Sequence, residues 1–336
     1  MKQERAFDFC REILKKVSRS FALTIPMLDE GLYKPIMVTY LQDRLLDNFE
    51  DEVQDISLAQ RKYFMDLVVD VFDPDNSEPE TSVRKIQDQS SLFADKALAR
   101  LTENTHLLRE AYEVLDENIQ EISYKWLVEM NKGMQTYLEK EVNSFSELDE
   151  YCYYVAGTVG GFLTETIIYR QKLNEDSSQI LLDNFKDAGL FLQKVNIIRD
   201  IKIDAENRDK NYWPLESLGI SLKQLLDREN EQEALRCLQV MIEDVSRHIP
   251  GLLRYYEALP DSIPGYKKFF SLNNALGLAT LEKMNNNAAV LFGNKKVKVG
   301  KLHFLKLLKN PQKEFLASSH KFLRKDSVHT NKNLDV

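Results

Sequence analysis

Two pairs of aspartates with the same internal spacing stand far apart in the chain: Asp47 and Asp51 in LQDRLLDNFEDE, and Asp200 and Asp204 in LQKVNIIRDIKID. A separation of i, i+4 predicts that both carboxylates of a pair share one helix face. Hard divalent cations take oxygen ligands, and Mg²⁺ held by a few carboxylates commonly completes its shell with substrate phosphate. Two such faces brought together point to chemistry on a diphosphate ester. A lone pair of this kind is usually a solvated helix face, since clustered carboxylates are only a probabilistic marker. Their company raises these two above that reading. Tyr40, Arg44, Asp47 and Asp51 fall on one helical stripe, as do Gln193, Asn196, Asp200 and Asp204. The second stripe runs along an otherwise apolar segment, where polar groups are costly without partners. It is expected to line a polar or metal-filled cavity. Glu50 and Glu52 are expected to face elsewhere.

Two further segments carry candidate chemistry. YCYYVAGTVGGFLTET, from Tyr151 to Thr166, reads as a helix with a strip of small residues, Ala156, Gly157, Gly160 and Gly161. Glycine costs a helix interior about 1 kcal/mol against alanine, so the strip needs a reason. Close helix packing is one. Room for a ligand against the backbone, with Thr164 facing the same space, is the other. In SRSFA, Ser18 to Ala22, Arg19 is suited to bidentate phosphate binding; the plain alternative is a surface arginine.

The elements that must position these residues read as helices throughout. The chain has 336 residues, 43% hydrophobic, with only 12 glycines and 9 prolines. Few breakers and no sustained alternation imply an all-α fold. Ile119, Ile122, Trp126, Met130, Met134 and Tyr137 recur at helical steps, and the segment from Leu182 to Asp200 is apolar on most sides, as a central helix would be. Polar breaks fall at Phe72–Val83, in AENRDKN, and at IPGYKK near Pro264. No shift in composition separates two domains, so one domain is expected over 1–309. The stretch 310–336 reads as a polar, basic, flexible tail. The net charge of −8 argues against a nucleic-acid partner. Three cysteines without framework or metal spacing suggest a reducing, cytoplasmic setting. No N-terminal signal is visible, and no apolar run approaches the roughly 18 residues a spanning helix needs. The expectation is a soluble chain or one peripheral at a membrane.

Taken together and in this order, SRSFA, YLQDRLLDNFEDE, MNKGM, YCYYVAGTVGG, GLFLQKVNIIRD and NYWP resemble the squalene/phytoene synthase family of head-to-head isoprenoid synthases. The resemblance runs from about Ser18 to Lys301. Its C-terminal part, NNNAAVLFGNKKVKVGK, is closer to the squalene branch. It implies a single all-α isoprenoid-synthase domain around a central cavity, acting on prenyl diphosphates. By the same resemblance Asp47, Asp51, Asp200 and Asp204 are Mg²⁺ ligands. Ser18, Arg19, Phe21, Gln193, Asn196, Arg199 and Phe269 are substrate-binding positions. Tyr40, Arg44 and Tyr151 are catalytic, Tyr151 in proton transfer. Lys298, within a cluster with Lys295, Lys296 and Lys301, is a candidate contact for NADPH.

The implied reaction joins two farnesyl diphosphates through presqualene diphosphate and reduces the result to squalene. Its rivals are a family member that stops before reduction, a cyclase acting on one prenyl diphosphate, and a non-enzymatic scaffold. Against the family pattern, Ile203 replaces a glutamate, Lys210 an arginine and Asn273 a proline, and Gly300 interrupts the basic stretch. These departures bear on product and reductant more than on the fold. No counterpart of the eukaryotic C-terminal anchor helix is seen, which implies a bacterial type of enzyme or a shortened chain. An insoluble product implies peripheral membrane contact.

Overall fold

A computed structural model of the chain describes residues 2–53, 56–207 and 210–332. Among these, every regular element is helical, as the composition implied. The helices of eight residues or more are α1 (Lys2–Val17), α2 (Glu30–Asp47), α3 (Leu58–Phe72), α4 (Pro79–Gln87), α5 (Lys96–Glu103), α6 (Thr105–Glu113), α7 (Glu117–Tyr137), α8 (Phe145–Cys152), α9 (Thr158–Gln171), α10 (Glu175–Asn207), α11 (Glu231–Ser246), α12 (Ile249–Ala258), α13 (Pro264–Met284), α14 (Lys301–Lys309) and α15 (Pro311–Lys332). They divide into two compact units. One comprises residues 1–140, 161–173 and 264–266, the other 141–160, 174–263 and 267–336.

In the first unit, α2 is set by its ends and by a buried polar contact with α7. Asp29 precedes α2, and its carboxylate accepts from the backbone N–H groups of Gly265 (3.1 Å) and Tyr266 (2.9 Å). Midway along, the Thr39 and Ser123 hydroxyls meet at 2.9 Å, and Ser123 donates to Gln42 Oε1 at 2.6 Å. Buried hydroxyls satisfied in this way fix register as well as packing. Helix α7 buries Ile119, Trp126, Met130, Met134 and Tyr137, five of the six residues its periodicity singled out, and half-buries the sixth, Ile122. A capping box between Ser57 and Gln60 starts α3.

In the second unit, α10 runs for 33 residues without a break and carries the second aspartate pair near its end. Phe191, Val195, Ile197, Ile198 and Ile201 are buried along it. A Cβ on Gly189 would lie 2.4 Å from the Ala156 carbonyl oxygen, and one on Gly161, in the first unit, 2.3 Å from the Trp126 ring. The small-residue strip is therefore explained by close packing, and Thr164 is buried. The strip is also not one helix. Helix α8 ends at Cys152, Tyr153–Gly157 form a wide π turn, and α9 begins at Thr158.

The chain beyond 310, read from its composition as a tail, forms α15. Its Phe315 is fully buried, edge-on to Tyr256 (5.4 Å) and Phe270 (5.7 Å).

Candidate active site

The first aspartate pair does not sit on a continuous α-helix. Helix α2 ends at Asp47, and Asn48–Glu52 wind into a second π turn. Such i→i+5 turns are rare and gather at functional sites. The wider winding re-aims Glu50, which is only 3% exposed and joins Asp47 and Asp51 in one cluster. One carboxylate oxygen from each of the three lies within 4.8 Å of the others. Glu50, expected to face elsewhere, is thus a third member. Glu52 is not one of the three, but it ion-pairs at 3.7 Å with Arg44, which also pairs with Asp47.

Arg61 of α3 holds the π turn in place. Its guanidinium donates to the carbonyls of Phe49 (3.2 Å), Glu50 (2.5 Å) and Val53 (2.7 Å). These are carbonyls that regular helical winding would have satisfied. Nothing in the local pattern around Asp47 points to Arg61. Its only sequence signal is a cation in the first turn of the next helix.

Around this cluster the predicted neighbours assemble. Arg44 forms an ion pair with Asp47. Tyr40 packs its ring 5.0 Å from Phe21 and is hydrogen-bonded to Ser18. Burial raises the Tyr40 phenol above its ordinary value, against the opposing Ser18 hydrogen bond and Arg44 charge, so it stays a proton donor. Ser18 also accepts from the Phe21 N–H at 3.1 Å, which shapes the SRSFA turn. Arg19 is exposed. One more carboxylate was missed. Asp43, one turn before Asp47, is pushed up to about 8 by burial and then by the Asp47 charge. It is the i−4 neighbour of Asp47, so the aspartate row begins a turn earlier than the motif.

In the second unit Gln193, Asp200 and Asp204 are part-buried on α10, and Asn196 is exposed. Arg199 grips Asp200 with two hydrogen bonds, 2.9 and 2.6 Å, and Lys296 reaches the same carboxylate at 3.0 Å. Burial opposes ionisation of Asp200. Arg199 and then Lys296 outweigh it and hold the carboxyl below the usual carboxylate range. Tyr151 is buried and stacks on Tyr212, with centroids 4.4 Å apart and planes 13° from parallel. The next residue, Trp213, is fully buried and donates its indole N–H to the Ile197 carbonyl at 3.3 Å. NYWP thus ties itself to α10 and supports Tyr151. Deeper still, Lys194 is fully buried, 2.5 Å from Asp244 and ion-paired with Asp149, two residues before Tyr151. Phe269 is buried on α13.

A pocket of about 180 Å³ is lined by Arg199, Lys202, Glu206, Gly293, Lys295 and Lys296 among others. Lys298, singled out from the sequence, is exposed and is not among these lining residues, which include its neighbours Lys295 and Lys296.

Residues 14–303 match the squalene/phytoene synthase family, and the chain belongs to that family. It is similar to squalene synthase LSS of Botryococcus braunii, 32% identical over 311 residues, covering 89% of this chain and 62% of that protein. It is also 30% identical to squalene synthase 1 of Arabidopsis thaliana, over 88% of this chain and 70% of that one. Among solved structures, the complex of TcSQS with the ligand BPH1237 superposes with a TM-score of 0.79 at 26% identity, covering 95% of this chain and 90% of that one. The all-α family fold expected from the motifs is the fold observed.

Proposed function

We propose that this protein is a farnesyl-diphosphate farnesyltransferase of the squalene synthase type, joining two farnesyl diphosphates head to head through presqualene diphosphate. The carboxylate cluster of Asp47, Glu50 and Asp51 is the observation that carries this reading. Three carboxylates crowded together, one of them buried, are stabilised by a hard cation, and their oxygens match what Mg²⁺ prefers. They would hold Mg²⁺, as Asp200 and Asp204 would in the second unit, and the cation would neutralise charge developing on a departing diphosphate.

The chain's own residues supply the rest. Arg44 and Arg199 are placed beside the motif carboxylates to contact phosphate oxygens, and exposed Arg19 adds a third cation. Tyr40, kept protonated, donates a hydrogen bond to an oxyanion. Tyr151, its ring set by the Tyr212 stack, moves the proton lost on ring closure. Phe21 offers an apolar surface to the prenyl chain, with Phe269 in the same role on α13. Lys295 and Lys296, in the small basic pocket, bind the phosphate end of NADPH, the hydride source for the final step.

The test is incubation of the protein with farnesyl diphosphate and Mg²⁺, with and without NADPH, and mass spectrometry of the extracted product. Squalene formed only with NADPH supports the whole scheme. Presqualene diphosphate, dehydrosqualene or hydroxysqualene formed regardless of NADPH would retire the reductive step. Absence of diphosphate release from any prenyl diphosphate would sink the enzyme reading.

A further inference from the structure

Helix α14 turns an unpartnered apolar face outward. Leu307 is buried against the protein, whereas Leu302, Leu305 and Leu308 are 86%, 57% and 38% exposed. At 100° per residue Leu305 lies roughly 160° around the helix from Leu307, with Leu302 and Leu308 to either side. The three leucines therefore form one ridge pointing away from the unit that carries it. Other exposed large apolar residues, such as Leu23, Tyr63 and Ile180, stand on separate elements. Scattered exposed residues are ordinary; a contiguous apolar ridge marks an interaction surface.

The charge around the ridge says what it meets. From Lys295 to Lys313 the chain carries seven lysines and no acidic residue, although the whole protein has a net charge of −8. Lys301 and Lys309 share the outward face with the leucines, and their long stems can lie along apolar surface while the ammonium groups stay in water. A leucine ridge fringed by lysines suits the headgroup region of an anionic bilayer. At nine residues α14 is roughly 14 Å long, too short to cross a membrane and long enough to lie in its surface.

We infer that α14 is a monotopic docking element that seats this protein on anionic lipid, Leu302, Leu305 and Leu308 entering the acyl boundary and Lys301 and Lys309 meeting lipid phosphates. The site stands on its own geometry. Its use rests on the proposed function, because a water-insoluble hydrocarbon product needs a lipid phase to leave into.

The experiment is co-sedimentation of the full chain, without substrate, with vesicles of phosphatidylcholine plus phosphatidylglycerol and with vesicles of phosphatidylcholine alone. Binding is expected to favour the anionic vesicles and to weaken in high salt. Leu302→Gln/Leu305→Gln/Leu308→Gln should lower partitioning by about tenfold or more, because hydrophobic insertion supplies most of the hold. Lys309→Glu should remove much of the preference for anionic lipid. The leucine variant should keep its circular dichroism and its release of diphosphate from farnesyl diphosphate in detergent. Vesicle binding unchanged in the leucine variant, or absent in the parent protein, overturns the inference. So does a dimer, seen by light scattering without lipid, that the leucine substitutions dissolve, since the ridge would then meet a second copy. Loss of diphosphate release from the parent protein with vesicle binding intact would instead count against the enzyme reading.

Discussion

Lys296 Nζ sits 3.0 Å from a carboxylate oxygen of Asp200, on the side chain proposed to bind a divalent cation. Lysine and cation compete for the same oxygen. Removing the lysine in Lys296→Gln should tighten divalent binding in the absence of substrate. The pair is partly exposed, so the gain is about twofold to fivefold. Mn²⁺ titration followed by electron paramagnetic resonance reads it directly. An unchanged affinity in a folded variant would mean that the lysine does not contest the site. The competition also runs in reverse: a cation that displaces Lys296 leaves its charge available to the pocket it lines.

Asp47→Ala and Asp200→Ala should each lower Mg²⁺-dependent diphosphate release by about a hundredfold or more, because each removes a carboxylate proposed to hold the metal. Glu50→Gln is the sharper test, since Glu50 enters the cluster only through the π turn. It should weaken metal affinity by about tenfold, at the lower end of what supporting groups contribute. Calorimetric titration that finds no change for Glu50→Gln would place Glu50 outside the metal site.

Tyr212 supports Tyr151 by stacking, which a phenylalanine can reproduce. Tyr212→Phe should retain most of the turnover, and Tyr212→Leu should lose a contact worth about 0.5–1.5 kcal/mol and with it the ring placement. The expected signature is a lower kcat with little change in KM for the leucine variant. Equal loss in both variants would assign the contribution to the Tyr212 hydroxyl.

Asp43 titrates at about 8 in the folded protein, against an ordinary value of 3.8. Between these values the unfolded chain has already released a proton that the folded chain retains, so this group's contribution to stability falls as pH rises through that window. Asp43→Asn removes the effect. In metal-free buffer the Tm advantage of the variant over the parent should widen from about pH 5 to about pH 8. A constant difference across that range would show that Asp43 ionises freely.

Arg61→Gln withdraws a guanidinium from three backbone carbonyls of the segment around Glu50. Hydrogen bonds from charged donors contribute about 1.5–3 kcal/mol each in other settings. A destabilisation of about 2 kcal/mol in urea is expected here, with weaker metal binding. Full metal affinity in a destabilised variant would show that Arg61 serves the fold alone.

Much of this was legible in the sequence, for identifiable reasons. Helix α7 was readable because its buried residues repeat at three and four, and the second motif row because the i, i+4 spacing of Asp200 and Asp204 survives in α10; the first pair kept its letters but not its helix, since Asp51 lies beyond the end of α2. The π turns were not, because a 3.6-residue period applied across Asn48–Glu52 points Glu50 to the wrong side. The glycine strip left two explanations open until Gly161 was seen against Trp126 and Gly189 against Ala156. Asp43 was passed over because a carboxylate one turn ahead of a motif has no signature of its own. The fold of 310–332 turned on Phe315, whose burial depends on Tyr256 and Phe270, more than forty residues away.

The π turn at Asn48–Glu52 also makes the backbone winding, and not the spacing of letters alone, part of the site. Rewinding the same five residues as ordinary α-helix would swing the residues at its end by roughly 90° about the helix axis. Glu50 and Asp51 would be re-aimed and the carbonyls now held by Arg61 carried away from it, with every functional side chain still present. An engineer grafting this motif onto another helix would therefore need to transplant a backbone shape and its clamp, and copying the letters alone would build an ordinary acidic helix.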